Sequence, residues 1–316
     1  MALHAKAILF ALLAVAGVAF SALWIARVHR GGVAGRRWPT RTELGIGGLT
    51  DFLDTLGVGS FATTTSLYKL GGVVADEDIP GTLNIGHMLP TFAEAFIFIL
   101  VVAVDMRTLV LMIAAATAGA WLGAGVVSGW SRRRIQLGMG ALLLVAAAIM
   151  VARAIHLVPG GGAALGLTGV RLAIGLCANF VLGALMTLGI GLFAPCMILV
   201  ALLGMSEVTA FPIMMGSCAF LMPGAGVRFL RSGRYALGAS LGLTIGGTPA
   251  VLIAGLWVKS LRLDAVKWLV VAVVVYTAVA MLRSAAREGR PPEGRPPEGR
   301  PEGGQGGREG RNAGRL

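Results

Sequence analysis

The sequence predicts an all-α fold: a polytopic membrane helical bundle with two inverted repeats, each with a re-entrant or broken-helix segment. Three observations predict it. The 316-residue chain is 56% hydrophobic and only 13% charged, with a mean hydropathy of +0.80, whereas a soluble domain carries about 25% charged residues. The apolar residues fall in long blocks rather than amphipathic stripes. One glycine- and hydroxyl-rich phrase is written twice, "TLGVGSFATTT" at Thr55–Thr65 and "TLGIGLFAPCM" at Thr187–Met197.

A run of about 20 apolar residues is long enough to cross the hydrocarbon core as a helix. The first such block, Ala5–Ile25, follows the short basic start "MALHAK" and continues into "RVHRGGVAGRR". The small residues of "AFSA" offer a signal-peptide alternative. The basic segment beyond Ile25 favours an uncleaved helix with a cytoplasmic anchor, so residues 1–43 read as an N-terminal transmembrane helix and basic loop. Residues 44–153 hold the blocks Thr82–Val104, Thr108–Val127 and Ile135–Val151. Residues 171–283 hold Leu172–Ala194, the short Ala210–Met222, Tyr235–Val258 and Ala265–Leu282. After Leu282 the chain repeats Glu-Gly-Arg-Pro-Pro. Such sequence has no apolar side chains to offset its ordering entropy, so residues 287–316 read as a disordered tail.

The two phrases lie 132 residues apart, Thr55 against Thr187. At that offset Thr55, Leu56, Gly57, Gly59, Phe61 and Ala62 match Thr187, Leu188, Gly189, Gly191, Phe193 and Ala194. Pro80 matches Pro212 and Gly72 matches Gly204. This is an internal duplication, a common architecture of secondary transporters. The arginines give its orientation. They cluster at Arg27–Arg41, Arg132–Arg134, Arg228–Arg234 and in the tail. The positive-inside rule asks for all four groups on one side. They meet it if each "TLGxGxFA" segment enters and leaves by the same face. Each copy then makes three full crossings, an odd number, so the copies are inverted. Non-helical backbone at membrane depth persists only where protein or a wet cavity surrounds it. The alternative role for these glycines is helix–helix packing, which is also the reading of Gly119–Gly123 and Gly138–Gly140.

Broken helices expose amides and the positive end of the helix dipole, which favour anions. The candidate substrate-binding residues of the first copy are Thr55, Gly57, Gly59, Ser60, Thr63, Thr64 and Thr65, with Asn84 and His87. Those of the second are Thr187, Gly189, Gly191, Pro195, Cys196 and Ser217. Ionisable groups inside apolar segments are costly and hence functional candidates. Asp51, Asp54 and Glu94 are the proton-coupling candidates, and His87 helps to neutralise the anion. In the competing reading the aspartates cap a half-helix near the interface, while His87 and Glu94 satisfy each other. The acidic loop "ADEDIP" at Ala75–Pro80 reads as solvated, and Lys69 as snorkelling to a headgroup.

The net charge of +12 would suggest nucleic acid in a soluble chain. Here it sits in loops between apolar blocks, so the expected partners are the lipid bilayer and a small anionic solute, with no nucleic acid; a homo-oligomer is left open. The three cysteines, Cys177, Cys196 and Cys218, lack CxxC spacing and read as packing residues. No phosphate loop occurs, and "GIGG" at Gly45–Gly48 lacks the βαβ context of a dinucleotide site. No cofactor and no metal are expected, and the chain does not read as an enzyme.

The duplicated motif, "LPTF" after "GHM", and the four-segment copies resemble the TauE/SafE family of sulfite exporters and sulfonate-uptake permeases. The resemblance runs from about Gly45 to Leu282. It rests on "TDFLDTLGVGSFATTTSLYKL" and "IPGTLNIGHMLPTFAEAFIF". Many relatives carry a denser glycine run where this chain has Ser60-Phe61-Ala62, which marks a divergent subgroup. The resemblance implies ion-driven transport of a small sulfur-containing anion, such as sulfite or an organosulfonate, across a bacterial inner membrane. Composition and spacing by themselves reach a secondary transporter for an anion. The alternatives are a passive channel of the same fold, or a permease for another oxyanion or a carboxylate.

Overall fold

The computed structural model describes residues 2–30, 38–57, 59–75, 77–123, 132–155, 157, 162–186, 192–258 and 263–288. The tail expected at 287–316 lies outside them beyond Glu288. Among the described residues the regular elements are helical, apart from one isolated bridge between Ala164 and Met205.

Helix α1 (Ala2–His29) precedes the duplicated region. Helix α2 (Arg41–Thr55) starts at a capping box: Thr40 Oγ1 accepts from the Glu43 amide, and Glu43 Oε2 accepts from the Thr40 amide at 2.6 Å. Such a cap stabilises a helix start by about 1 kcal/mol. The helix stops where Gly57 (φ 95°) and Gly59 (φ 81°) take left-handed conformations that side chains resist. Helix α3 (Ser60–Gly71) follows. Helices α4 (Ile79–Gly86) and α5 (Met88–Val101) meet at a 43° bend centred on His87. Helix α6 (Met106–Ala118), continued by a π turn (Gly119–Gly123), and α7 (Arg132–Ala154) complete the first copy. The second copy comprises α8 (Gly169–Met186), α9 (Phe193–Leu202), α10 (Ala210–Ser232), α11 (Leu237–Val258) and α12 (Leu263–Glu288).

The 132-residue offset carries α2, α3, α4–α5, α6 with its π turn, and α7 onto α8, α9, α10, α11 and α12 with ends agreeing to within a few residues. Among the described residues four helices (α1, α8, α10 and α11) are each long and apolar enough to cross a membrane, or five where the bent pair α4–α5 counts as one span. The chain is an α-helical multi-pass membrane protein.

Side-chain register gives the direction of each helix. Ala236 N–H donates to Thr82 Oγ1 (2.9 Å) and Thr244 Oγ1 to the Gly86 carbonyl (2.7 Å), while Gly255 backs onto Ile97. So α11 runs parallel to α4–α5. It also runs parallel to α2, since Gly47 faces Gly242 and Leu243 while Asp51 faces Gly247. Helices α2 and α4 therefore point the same way, and α3 between them must return. It does: Ser60 lies at Asp54, Thr64 at His87, and Tyr68 OH reaches the Ala239 carbonyl at 3.4 Å near the start of α11. Helices α2 and α3 form a hairpin whose tip, level with His87–Glu94, stands halfway along α4–α5.

The second copy repeats this. Asn179 Nδ2 donates to the Met112 carbonyl (2.7 Å), and Gly183 backs onto the Ala116 carbonyl, so α8 runs parallel to α6. Beyond the end of α9, Gly204 lies beside Arg171, and Ser206 N–H donates to the Ala164 carbonyl (2.9 Å). Helix α9 thus returns to the start of α8, although α8 has the length of a full crossing. The copies are inverted: Phe98 stacks on Phe211 (4.9 Å) while Met88 meets Gly226, so α5 and α10 are antiparallel. Gln136 Nε2 donates to Ser284 Oγ (3.3 Å) while Gly140 meets Leu282, so α7 and α12 are antiparallel too.

The basic groups collect at one end of this bundle. Arg27 Nη2 donates to the Arg231 carbonyl (3.4 Å), Arg234 pairs with Asp78 (3.2 Å), and the start of α7 lies beside the end of α12. The glycines first read as packing residues divide: Gly119 backs onto the Phe180 carbonyl and Gly140 onto Leu282, but Gly138 faces open space.

Two measurements test the architecture. In a background lacking Cys177, Cys196 and Cys218, cysteines at Trp38 and Ala75 should label with an impermeant maleimide from one side of the membrane, and a cysteine at Thr168 from the other. Labelling of Trp38→Cys and Ala75→Cys from opposite sides would make α2–α3 a single crossing. A Cβ at Gly47 would stand 2.6 Å from Leu243 Cα, whereas Gly45 faces open space. Gly47→Ala should therefore cost about 1–3 kcal/mol of unfolding free energy through overpacking, while Gly45→Ala is neutral or stabilising by up to about 1 kcal/mol.

Candidate functional site

The last turn of α2, the first turns of α3, the α4–α5 bend and the middle of α5 converge on one buried polar cluster. Asp51, His87 and Glu94 are fully buried, and Asp54 is 2% exposed. Asp51 Oδ1 lies 2.6 Å from His87 Nδ1, and His87 Nε2 lies 3.0 Å from Thr64 Oγ1. With Asp51 accepting, Nδ1 carries a proton. Ser60 Oγ donates to Asp54 Oδ2 across the break. Thr55 Oγ1 stands 2.9 Å from both the Asp51 carbonyl and Glu94 Oε1. The Phe61 ring lies 5.8 Å from the His87 ring. From α11, Gly247 backs directly onto Asp51 Oδ2.

This geometry departs from the capping reading of these residues. Thr40 caps α2, while Asp51 and Asp54 lie at its carboxyl end, where the helix dipole disfavours negative charge. Asp54 is compensated from the next helix, by Ser60 at the start of α3. His87 and Glu94 do not bond to each other: His87 engages Asp51 and Thr64, and Glu94 engages Thr55. Three carboxylate oxygens have no partner: Asp51 Oδ2, Asp54 Oδ1 and Glu94 Oε2. A buried polar atom without a partner is costly, and three in one place mark a site arranged for something other than stability.

The end of α8 and the start of α9 stand opposite. Gly57 faces Met197 and the Phe211 ring, and Cys218 Sγ lies 3.7 Å from Met186 Sδ, within electrostatic reach of Asp54, Glu94 and Cys196. Pro195 and Cys196 are buried. The N-cap residues of α3 and α9, Gly59 and Leu192, offer no capping side chain; the carboxylate at the first amide of α3, on Ser60, is that of Asp54.

Of the other sequence candidates, Thr63 donates to the carbonyls of its own helix at Gly59 and Ser60, and Thr65 is half-buried. Asn84 points away from the cluster, its Nδ2 bonding the Pro80 carbonyl at 2.9 Å. Ser217 is buried and receives a long contact from Asn179 Nδ2 at 3.5 Å. Thr187, Gly189 and Gly191 lie outside the described residues. Two residues escaped the sequence reading. Asn179 is a buried amide whose Oδ1 has no partner; as the only asparagine in its apolar block, it was visible as a candidate. Gly247 was visible only as half of a Gly-Gly pair in "TIGGTP".

At the repeat offset, Asp51, Asp54, Thr64, His87 and Glu94 correspond to Gly183, Met186, Cys196, Ala219 and Gly226. The ionisable cluster therefore belongs to the first copy alone. No family model, curated protein or solved structure matches the chain.

The Thr55–Glu94 contact has a direct test. Thr55→Val leaves Glu94 without a partner on either oxygen and should cost about 1–3 kcal/mol in thermal unfolding. Thr55→Val combined with Glu94→Leu should recover much of it, a coupling of about 0.5–3 kcal/mol.

Proposed function

We propose that the protein is a secondary active transporter that moves a small oxyanion together with protons carried by Asp54 and Glu94. The observation that carries this reading is the set of three buried carboxylates, each with one unpartnered oxygen, at the tip of a hairpin halfway through the bundle. Fully ionised beside a charged His87, the cluster would hold two net negative charges in a medium of low dielectric. With Asp51 and His87 as an ion pair and protons on Asp54 and Glu94, it is neutral. Hydrogen-bond counting agrees. Thr55 has one hydroxyl proton facing two acceptors, and both contacts are satisfied when Glu94 donates to Thr55 and Thr55 donates to the Asp51 carbonyl.

An anion is repelled by ionised carboxylates and accepted by neutral carboxyls, whose O–H groups are donors. Proton binding and anion binding thus favour one another. The first turns of α3 and α9 add amides and two positive dipole ends where the two copies meet, and a proton on Asp54 frees the Ser60 amide that its carboxylate engages. The likeness of "TDFLDTLGVGSFATTTSLYKL" and "IPGTLNIGHMLPTFAEAFIF" to TauE/SafE permeases is the ground for choosing a sulfur oxyanion, sulfite or an organosulfonate, as cargo. By the positive-inside rule the arginine-rich end faces the cytoplasm, in a bacterial inner membrane on the same likeness.

Proteoliposomes offered labelled sulfite, thiosulfate, sulfate, taurine and sulfoacetate, with and without a pH gradient, test the proposal. One of these should accumulate only when the gradient is imposed. Asp54→Asn and Glu94→Gln should each reduce gradient-driven accumulation by roughly 5–150-fold, the usual span of a coupling free energy, while exchange of labelled for unlabelled anion persists. Flux that ignores the gradient and survives Asp51→Asn with Asp54→Asn would identify a passive channel instead.

A further inference from the structure

Among the described residues the buried apolar side chains form two separate cores. The larger runs through α1, α5 to α10 and α12. The smaller consists of Tyr68 from α3, Val74 just beyond it, Ile79 and Leu83 from α4, and Ala239 and Leu243 from α11, with Ile46 of α2 packed against it. The same four helices are bonded to one another. The Ala236 amide and the Ser240 hydroxyl both reach Thr82, the Tyr68 hydroxyl reaches the Ala239 carbonyl, and Gly47 and Gly86 both seat against Leu243. A group of helices with its own core can shift as a unit. The second copy has no such unit: at the repeat offset Tyr68, Ile79 and Leu83 correspond to Val200, Phe211 and Met215, which all belong to the larger core.

Apart from its connections at the arginine-rich end, the chain leaves this unit at two proline breaks of equal depth. Proline has no N–H to give the carbonyl four residues earlier, and its ring crowds that carbonyl. Pro90 does this to Gly86, whose carbonyl accepts from Thr244 Oγ1 of α11 instead (2.7 Å), and the α4–α5 axis bends by 43° at His87. Pro249 does it to Ile245 within α11, beside Gly246 and Gly247. The two breaks adjoin: a Cβ on Gly247 would stand 3.0 Å from Pro90 Cγ and directly against Asp51 Oδ2. The carboxylate cluster therefore straddles the boundary. Asp51, Asp54 and Thr64 belong to the unit, Glu94 lies beyond the break on α5, and the Thr55–Glu94 bond spans the two. Toward the arginine-rich end the boundary passes between α4 and α10, where Gly81 seats against the Phe229 ring while Ile85, on the same helix, faces the larger core.

We propose that α2, α3, α4 and the first half of α11 form a gate that swings about Pro90 and Pro249 and opens the carboxylate cluster to the arginine-rich face along the seam between α4 and α10. What passes through the opening rests on the transport reading; the motion itself does not.

The test uses the full-length protein in sealed vesicles of known orientation, lacking Cys177, Cys196 and Cys218, and follows the rate of labelling by an impermeant maleimide without any cargo. Three probes are compared: Ile85→Cys on the seam side of α4, Leu83→Cys two residues away inside the smaller core, and Met112→Cys inside the larger one. All three positions are buried. Ile85→Cys should label from the arginine-rich side, while Leu83→Cys and Met112→Cys stay protected because both cores move intact. Pro249→Ala, which restores a backbone hydrogen bond across the break, should slow labelling of Ile85→Cys by about five- to tenfold. Pro223→Ala, which removes a proline from α10 outside the gate, should leave that rate unchanged. Equal labelling of Ile85→Cys and Leu83→Cys would mean that α4 unfolds locally, and would overturn the proposal. So would protection of Ile85→Cys equal to that of Met112→Cys, labelling from the opposite side alone, or a rate indifferent to Pro249→Ala. Failure of the transport reading shows separately, as a protein that labels in this pattern yet accumulates none of the five anions.

Discussion

The centre of this protein depends on one chain reversal, between the end of α2 and the start of α3, made halfway along the bent pair α4–α5. In hydrocarbon every peptide group needs a partner, so such a break is tolerated only inside protein. Gly57 and Gly59 supply the positive φ angles, and α4, α5, α10 and α11 enclose the tip. The reversal also sets the electrostatics. It brings the carboxyl end of α2 and the amino end of α3 to the same point, so the negative end of one dipole meets the positive end of the next. Asp51 and Asp54 stand on the unfavourable end of α2. They are tolerated because the reversal returns Ser60 to one of them, and the α4–α5 bend delivers His87 to the other.

The reversal is held in place from the other copy. Helix α2 lies along α11 through facing glycines, Gly47 on Gly242 and Leu243, Gly246 on the Leu44 carbonyl, and Gly247 on Asp51. Helix α8 lies along α6 in the reciprocal way, with Gly183 on the Ala116 carbonyl. The first helix of each hairpin is therefore clamped by the third segment of the opposite copy, α11 on α2 and α6 on α8. Small residues are the means by which helices approach closely in lipid, where no hydrophobic effect pulls them together. The consequence is mutual dependence: the first helix of each hairpin packs along a helix of the opposite copy.

Much of this was legible in the sequence. The duplicated "TLGxGxFA" phrase, its fixed offset, and arginines in short loops carried the repeat, its inversion and the returning segments, because each is a direct physical constraint on a membrane chain. Asp51, Asp54, His87 and Glu94 stood out because charge is costly in apolar sequence. Their pairing was less legible. A seven-residue spacing places His87 and Glu94 on one face of an unbroken helix, but the bend at His87 turns the ring toward Asp51 and leaves Glu94 to Thr55. Asn84 looked like a neighbour of His87 for the same reason, and the short helix α4 points it elsewhere. Gly247 was beyond reach, because the role of a glycine lies in what approaches it, and that is set by tertiary packing.

The duplication also limits what the two halves do. In an inverted-repeat transporter, the inward- and outward-facing states arise when the copies exchange conformations about a fixed site. Were the copies chemically alike, those states would be equal in energy. Here they are not alike. The first copy brings three carboxylates and a histidine to the centre, Asp51 and Asp54 on its hairpin with His87 and Glu94 on α4–α5, while the second brings Met186, Cys196 and Met197, with Cys218 of α10 alongside. A proton carried, as proposed, by Asp54 or Glu94 acts directly on the first copy, because the second has no carboxylate at the corresponding positions. On the proposed reading, that asymmetry lets protonation bias the exchange: the fold supplies two related states, and the acidic copy makes their balance depend on protons.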